Sequence, residues 1–123
     1  MTALVMRSLA WLVYFDPLMR FRSFEAVHAA ARNGNVCLIE NPIGDAAICH
    51  AVDLACVFYF KRVLCLQRSA ATTALLRRHG WNAEMVIGAQ LIPFKSHAWC
   101  ELDGLVVNDR PYMLDIYQVL SRC

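Results

Sequence analysis

The chain has 123 residues, of which 59% are hydrophobic and 18% are charged, and its formal net charge is +2. This length fits one domain with a substantial core, and the apolar composition argues against extensive disorder. Twelve basic residues offset by ten acidic ones do not form the basic surface that nucleic-acid binding needs, so we expect no nucleic-acid partner.

The N-terminal stretch is rich in apolar side chains, but Arg7, Asp16 and Pro17 interrupt it. A bilayer span needs roughly 20 consecutive apolar residues, so the stretch predicts a buried helix that breaks near Pro17, not a transmembrane segment. It also lacks the cleavage site of a secretory signal. The six cysteines include no C-x-x-C pair, which favours reduced thiols in a cytoplasmic protein.

Two further helices are predicted within the first 60 residues. One runs from Ser23, a suitable N-cap, to Asn33 and Gly34, which are typical of a helix end. The other can be capped by Asp45 and covers AAICHAVDLACVFYF, which is apolar nearly all round. We expect this helix in the centre of the fold, with its cysteines in the core.

A fourth helix is predicted over VLCLQRSAATTALLRRHG. Small and apolar residues recur along one of its faces, at Leu66, Ala70, Ala71, Ala74 and Leu75. Cations followed by Gly80 indicate its C-terminal end. Cys65 then lies at the opposite end, where free amides and the positive end of the helix dipole favour the thiolate form of a cysteine.

The last third of the chain predicts an antiparallel sheet and a short helix. The strands are expected from Asn82 to Pro93, at His97–Glu101 and at Leu105–Asp109, and the helix at Asp115–Leu120. Helices followed by an antiparallel sheet indicate an α+β fold. We predict one domain over residues 1–123, with a helical part at 1–60 and the Cys65 helix and the strands at 61–123.

The turn at Asp103-Gly104 decides whether His97 and Asp109 meet. A two-residue turn pairs Ala98 with Asp109 and places His97 and Asp109 on opposite faces, whereas a three-residue loop with a bulge places them directly opposite each other. The sequence slightly favours the shorter turn and does not decide between them. Only the second register predicts a His/Asp pair.

Such a pair would have a clear chemical use. The carboxylate of Asp109 would fix the tautomer of the His97 imidazole and leave its other nitrogen to exchange protons with Cys65. Each residue also has an ordinary structural interpretation: Cys65 as a core residue, His97 as a surface residue, and Asp109 as the cap of a turn in Asn108-Asp109-Arg110-Pro111.

The stretch from Cys65 to Asp109 resembles the transglutaminase-like peptidases of lasso-peptide biosynthesis, which remove the leader from a ribosomally made precursor. The shared motifs are C-L-x-R-S, L-L-R-R-x-G, V-I-G, P-F-x-x-H-A-W and V-N-D, and the resemblance covers roughly residues 45 to 120. It implies a transglutaminase-like or papain-like fold, with Cys65 as nucleophile, His97 as general base and Asp109 as orienting acid, and no metal or organic cofactor. Trp81 and Cys100 depart from the usual pattern.

The resemblance also implies partners. Stand-alone members of this family act on the precursor peptide together with a separate leader-recognition protein and an asparagine-synthetase-like cyclase that closes the ring. We expect a chain of this length to hold no recognition domain as well, and therefore expect this stand-alone form, with an apolar patch on the N-terminal helices as the docking surface. The Cys65 amide is expected to bind the oxyanion, with Tyr59 or Gln67 as the second donor.

Three alternatives stay open. The same acyl-enzyme could pass its acyl group to an amine, as in a transglutaminase-type acyltransferase. The chain could instead be a non-enzymatic, helical module that binds a partner. A metal site formed by Cys49, His50 and Cys56 is the third alternative, although their spacing matches no familiar zinc pattern.

Overall fold

The computed structural model describes residues 2–21, 29–30, 44–60, 63–91, 94–109 and 113–122. In these ranges the helices are α1 (Thr2–Phe21), α2 (Asp45–Phe58), α3 (Cys65–Arg78) and α4 (Met113–Ile116), and the strands are β1 (Ala83–Leu91), β2 (Phe94–Leu102), β3 (Leu105–Val106) and β4 (Gln118–Arg122). The long helices precede an antiparallel sheet, which confirms the α+β prediction. The helix predicted from Ser23 lies almost entirely outside the described residues.

The sheet has the strand order β3-β2-β1-β4. Strands β1 and β2 pair along their whole length, from Ala83 opposite Leu102 to Leu91 opposite Phe94. The short helix predicted at Asp115–Leu120 is wrong, because the helix ends at Ile116 and the next residues form β4 on the free edge of β1. This strand is only five residues long, and its side chains alternate between exposed and half-buried. So short an alternation is a weak signal in the sequence alone, and it takes on meaning only when the strand is seen paired with β1.

Helix α3 is the central element of the fold. It is buried without interruption from Ser69 to Arg77, and it packs against α1, α2 and both long strands. The prediction that α2 would be central is wrong, since α2 exposes Val57 and Phe58. The small side chains of α3 let the other helices and the sheet pack closely against it from several sides. The prediction was based on how many residues of each helix are apolar, and it did not take their size into account.

Helix α1 continues through Pro17 to Phe21, so the predicted break is wrong. A proline inside a helix costs roughly 3 kcal/mol, and burial of Leu12 and Phe15 against α3 offsets this. At the start of α2 the N-cap is Gly44 and not the predicted Asp45, which is the first helical residue. No helix in the described part of the chain is long and apolar enough to cross a bilayer.

The two faces of the sheet have different coverings. Met85, Ile87 and Ala98 face the helices and join the main core. On the opposite face Val86 and Trp99 form a smaller cluster with residues around α4. On β2, Ala98 thus faces the helices, whereas the adjacent residues His97 and Trp99 face the other way.

Candidate functional site

Cys65 is the first residue of α3, as predicted. Leu64 precedes it with extended dihedral angles (φ −82°, ψ 159°), and the Arg68 amide donates to the Leu64 carbonyl at 3.0 Å, closing the first turn. The amides of the first helical residues have no intrahelical acceptor. The half-buried Cys65 thiol therefore lies beside free N–H groups at the positive end of a 14-residue helix.

The turn after β2 has the two-residue form. Asp103 (φ 53°) and Gly104 (φ 81°) are both left-handed, and Leu102 pairs with Leu105. Strict alternation from this register would separate His97 from Asp109. Instead, His97 Nε2 and Asp109 Oδ2 lie 2.5 Å apart, so the prediction that only the bulged register brings them together is wrong.

Asn108 explains how the pair forms in this register. Strand β3 ends at Val106, but the Val107 amide still donates to the Cys100 carbonyl at 3.0 Å. The Cys100 amide donates to Asn108 Oδ1 at 2.6 Å instead of to a backbone carbonyl, and Asn108 Nδ2 donates to Ser69 Oγ at 3.1 Å. Because a side chain now satisfies the Cys100 amide, the backbone can leave the strand. Asp109 lies in this bend, and its side chain points toward His97. Strict alternation from the two-residue turn would place it on the opposite face. The two-residue turn and the His/Asp pair are therefore compatible.

Asp109 also lies near a cation, Arg68, which was not among the residues predicted for the site. Arg68 Nη2 lies 3.6 Å from Asp109 Oδ2, the oxygen that also binds His97. Arg68 follows Cys65 by three residues, so it occupies the same side of α3 one turn later. That spacing is the signal that could have identified it.

An aromatic cluster surrounds the imidazole. The His97 ring stacks with Tyr117 at 5.4 Å between centroids and with Trp99 at 6.2 Å, and the Trp99 indole N–H donates to buried Glu101 at 2.8 Å. Gly88 lies opposite His97 in the register, and a Cβ there would come within 2.7 Å of Trp99. The sequence did not identify Tyr117 or Gly88 as part of the site.

Cys65 and His97 line one cavity. Its lining also includes Leu66, Ile87, Ser96 and Ala98, its volume is about 100 Å³, and it is partly open to solvent. The structure thus places all three predicted site residues together: Cys65 and His97 share the cavity, and Asp109 contacts His97.

The cysteines in the core have a different environment from Cys65. Burial raises the pKa of Cys49 to about 12 and that of Cys100 to about 12, and it raises the pKa of the Cys56 thiol as well. These thiols are protonated near neutral pH and are poor nucleophiles. Among the described residues no group of three His, Cys, Asp or Glu side chains could hold a metal ion, so Cys49, His50 and Cys56 form no such site.

The two predicted oxyanion donors are engaged elsewhere. The Tyr59 hydroxyl donates to Asp16 Oδ2 at 2.8 Å, and Gln67 Nε2 donates to the Leu12 carbonyl at 2.8 Å. Both bonds tie the region of the site to α1, and neither side chain lines the cavity. The Cys65 amide therefore stays the predicted oxyanion donor, and the assignment of Tyr59 or Gln67 as its partner has no support from these contacts.

Comparison with known proteins gives a family and one curated relative. The family model described as the transglutaminase-like superfamily matches residues 11–122. The microcin J25-processing protein McjB of Escherichia coli is 40% identical over 57 residues, which are 46% of this chain and 27% of that protein. The match thus spans well under half of the relative's length. No solved structure matches. These findings confirm the resemblance that the sequence motifs indicated.

Proposed function

Because the chain belongs to the transglutaminase-like superfamily, we propose that it is a cysteine peptidase that removes the leader from a lasso-peptide precursor. The observation that carries the proposal is the cavity shared by Cys65 and His97, with Asp109 bound to the imidazole. The relative's name refers to processing of microcin J25, which supports a peptide substrate of this class. We also infer a cytoplasmic location, where a ribosomally made precursor appears.

The proposed roles follow from which atoms are occupied. Asp109 Oδ2 accepts the hydrogen bond of His97 Nε2, so the neutral imidazole carries its proton on Nε2. The other nitrogen, Nδ1, is then free to accept the Cys65 proton. This arrangement stabilises the imidazolium that accompanies the thiolate.

The proposed reaction has two stages. The Cys65 sulfur attacks the carbonyl at the leader/core junction, and the amides at the start of α3 stabilise the oxyanion. The C–N bond breaks as His97 Nδ1–H protonates the amine of the core peptide. Water, deprotonated by His97, then hydrolyses the thioester and releases the leader as a carboxylic acid while the Cys65 thiol is restored.

We further propose that cleavage depends on a separate leader-recognition protein, and that the released core peptide passes to a cyclase. The cavity is small and largely apolar, so it offers few polar contacts with which to select one peptide among many. A protein that holds the leader would raise the local concentration of the junction at Cys65 without new contacts in the cavity. We expect the purified chain alone to cleave more slowly than the mixture.

The test of this function incubates a lasso-peptide precursor and a leader-recognition protein with the full chain, with mass spectrometry as readout. We expect cleavage at one junction, with a free carboxylate on the leader even when a labelled primary amine is present. A leader–amine adduct in place of the acid would make the protein an acyltransferase. Absence of both products with folded protein would overturn the enzymatic proposal and favour a binding module.

A further inference from the structure

One edge of β2 is only partly covered by a neighbouring strand. Strand β1 pairs with β2 along the whole of the other edge. On this edge, β3 pairs with Glu101 and Leu102, and the Val107 amide then donates to the Cys100 carbonyl. Within the described ranges no further strand lies beside β2, so the stretch from Ser96 to Ala98 forms an open edge of the sheet.

The ladder shows which backbone groups point toward the open edge. The Cys100 amide donates to Asn108 and the Cys100 carbonyl accepts from Val107, so both groups of Cys100 point away from β1. Along a strand, successive residues direct their N–H and C=O groups to opposite edges. Ser96 and Ala98 therefore direct theirs away from β1 as Cys100 does, and in the described part of the chain no backbone group bonds to them there.

The open edge borders the cavity that contains Cys65. Ser96, His97 and Ala98 all line this cavity. Because successive side chains point to opposite faces of a strand, a cavity lined by three consecutive residues extends around the strand's edge. Strand β1 covers one edge here, so the cavity reaches the open one. Ala98 is also buried, and buried main-chain groups in proteins nearly always have a hydrogen-bond partner.

We propose that the open edge of β2 binds an extended segment of the peptide substrate as an additional strand, through the main-chain groups of Ser96 and Ala98. This inference rests on the proposed function and specifies how the substrate is held. A strand edge bonds to the main chain of any polypeptide that is extended. The occupant is therefore an extended stretch of peptide around the leader/core junction, and its scissile bond lies at Cys65.

Main-chain binding also fits the composition of the cavity. Most of its lining is apolar, so the hydrogen bonds that hold a peptide there come largely from the backbone of β2. Such bonds set the direction and register of the peptide and are insensitive to most of its side chains. Selection of one peptide among many is then left to the proposed recognition protein.

The first experiment measures amide hydrogen exchange by NMR in isotope-labelled Cys65→Ala protein. The probe is a synthetic peptide that spans the leader/core junction of a lasso-peptide precursor. We expect the Ser96 and Ala98 amides to exchange roughly tenfold more slowly with bound peptide, because each gains a hydrogen bond. Lys95 and His97 are internal controls, since their amides point toward β1 and should keep their exchange rates. Unchanged exchange at Ser96 and Ala98, with or without the recognition protein, would overturn the proposal.

A substitution tests the same edge from the side of the protein. In the Cys65→Ala background, Ser96→Pro removes the outward amide and leaves the bonds to β1 in place, as proline does on an edge strand. Ser96→Ala is the matched control, because it keeps the amide and loses only the hydroxyl. We expect Ser96→Pro to weaken peptide binding roughly three- to tenfold, the effect of about one hydrogen bond, and Ser96→Ala to bind normally.

Equal binding by folded Ser96→Pro and Ser96→Ala would overturn the proposal. If Ser96→Pro does not fold, the exchange measurement decides, because it leaves the edge unchanged. Failure of the proposed function gives a different result: the peptide slows exchange at Ser96 and Ala98, but wild type does not cleave it. Cleavage by wild type without slowed exchange would overturn the binding edge and leave the peptidase standing.

Discussion

Gly88 shows how a single missing side chain shapes the surroundings of His97. It lies opposite His97 on β1, and a Cβ would come within 2.7 Å of Trp99 and 2.8 Å of Tyr117. Trp99 is fully buried and cannot retreat easily. The two aromatic rings that stack with the imidazole therefore depend on a glycine at this position.

We expect Gly88→Ala to lower the free energy of unfolding by about 1–3 kcal/mol, as overpacking does in a filled core. It should also reduce leader cleavage, because displaced rings move His97. Urea denaturation and the cleavage assay measure the two effects. The control is Gly44→Ala, where a Cβ meets nothing within 4 Å. Equal stability of the two variants would contradict this account.

The end of β3 determines the position of Asp109. Strand β3 pairs with β2 through two residues only, Leu105 and Val106. The Asn108 side chain then accepts the hydrogen bond of the Cys100 amide, and the chain turns toward His97. We expect Asn108→Ala to cost about 1–3 kcal/mol of unfolding free energy, because the buried Cys100 amide loses its acceptor. Cleavage should fall further than stability alone explains, since Asp109 loses its fixed direction.

The matched control for Asn108→Ala is Asn82→Ala, at an exposed position before β1. Chemical denaturation of both variants, with cleavage measured under conditions where both are folded, separates the structural effect from the functional one. If Asn108→Ala behaved like Asn82→Ala in both measurements, the bend would not depend on this side chain.

The elements that could be predicted are those in which a hydrophobic pattern repeats over many consecutive residues and the end signals lie in the same segment. Helix α3, the start of that helix at Cys65 and the left-handed Gly80 at its end follow from the apolar stripe and the cap residues. The fourth strand could not be predicted, because five residues carry little period and its pairing includes a register shift at Ile87/Gly88 on a distant strand. Continuation of α1 through Pro17 likewise depends on packing that the local sequence does not contain.

The site was predicted in part for the same reason. The helix start at Cys65, the residue types and the family motifs predict Cys65, His97 and Asp109 as site residues, and the structure brings the three together. Arg68 and Tyr117 were missed, because their contacts depend on how α3 and β4 are placed around the sheet. The predicted link between the length of the turn and the His/Asp pair is wrong, because it assumes that side chains alternate between the two faces as far as Asp109. The strand ends before that residue, at Val106.

In the molecule as a whole, the proposed site is a cavity lined by side chains from both of the differently covered faces of the sheet. Cys65 belongs to a helix on one face, whereas His97 stacks with the aromatic cluster of the other. The cavity includes side chains from both. The packing of helices and sheet therefore sets the distance between Cys65 and His97, the proposed nucleophile and base. If these roles are correct, variants that loosen either layer should reduce cleavage although the reacting groups are unchanged.

The proposed function requires Cys65 to be the nucleophile of a leader peptidase. The most direct measurement compares leader release by wild type, Cys65→Ala and Cys56→Ala, using precursor peptide with the recognition protein and mass spectrometry. Cys56 is the control, because it is a half-buried helix cysteine with a raised pKa and does not line the cavity. We predict that cleavage is lost in Cys65→Ala and kept in Cys56→Ala. Cleavage that persists in folded Cys65→Ala would contradict the account.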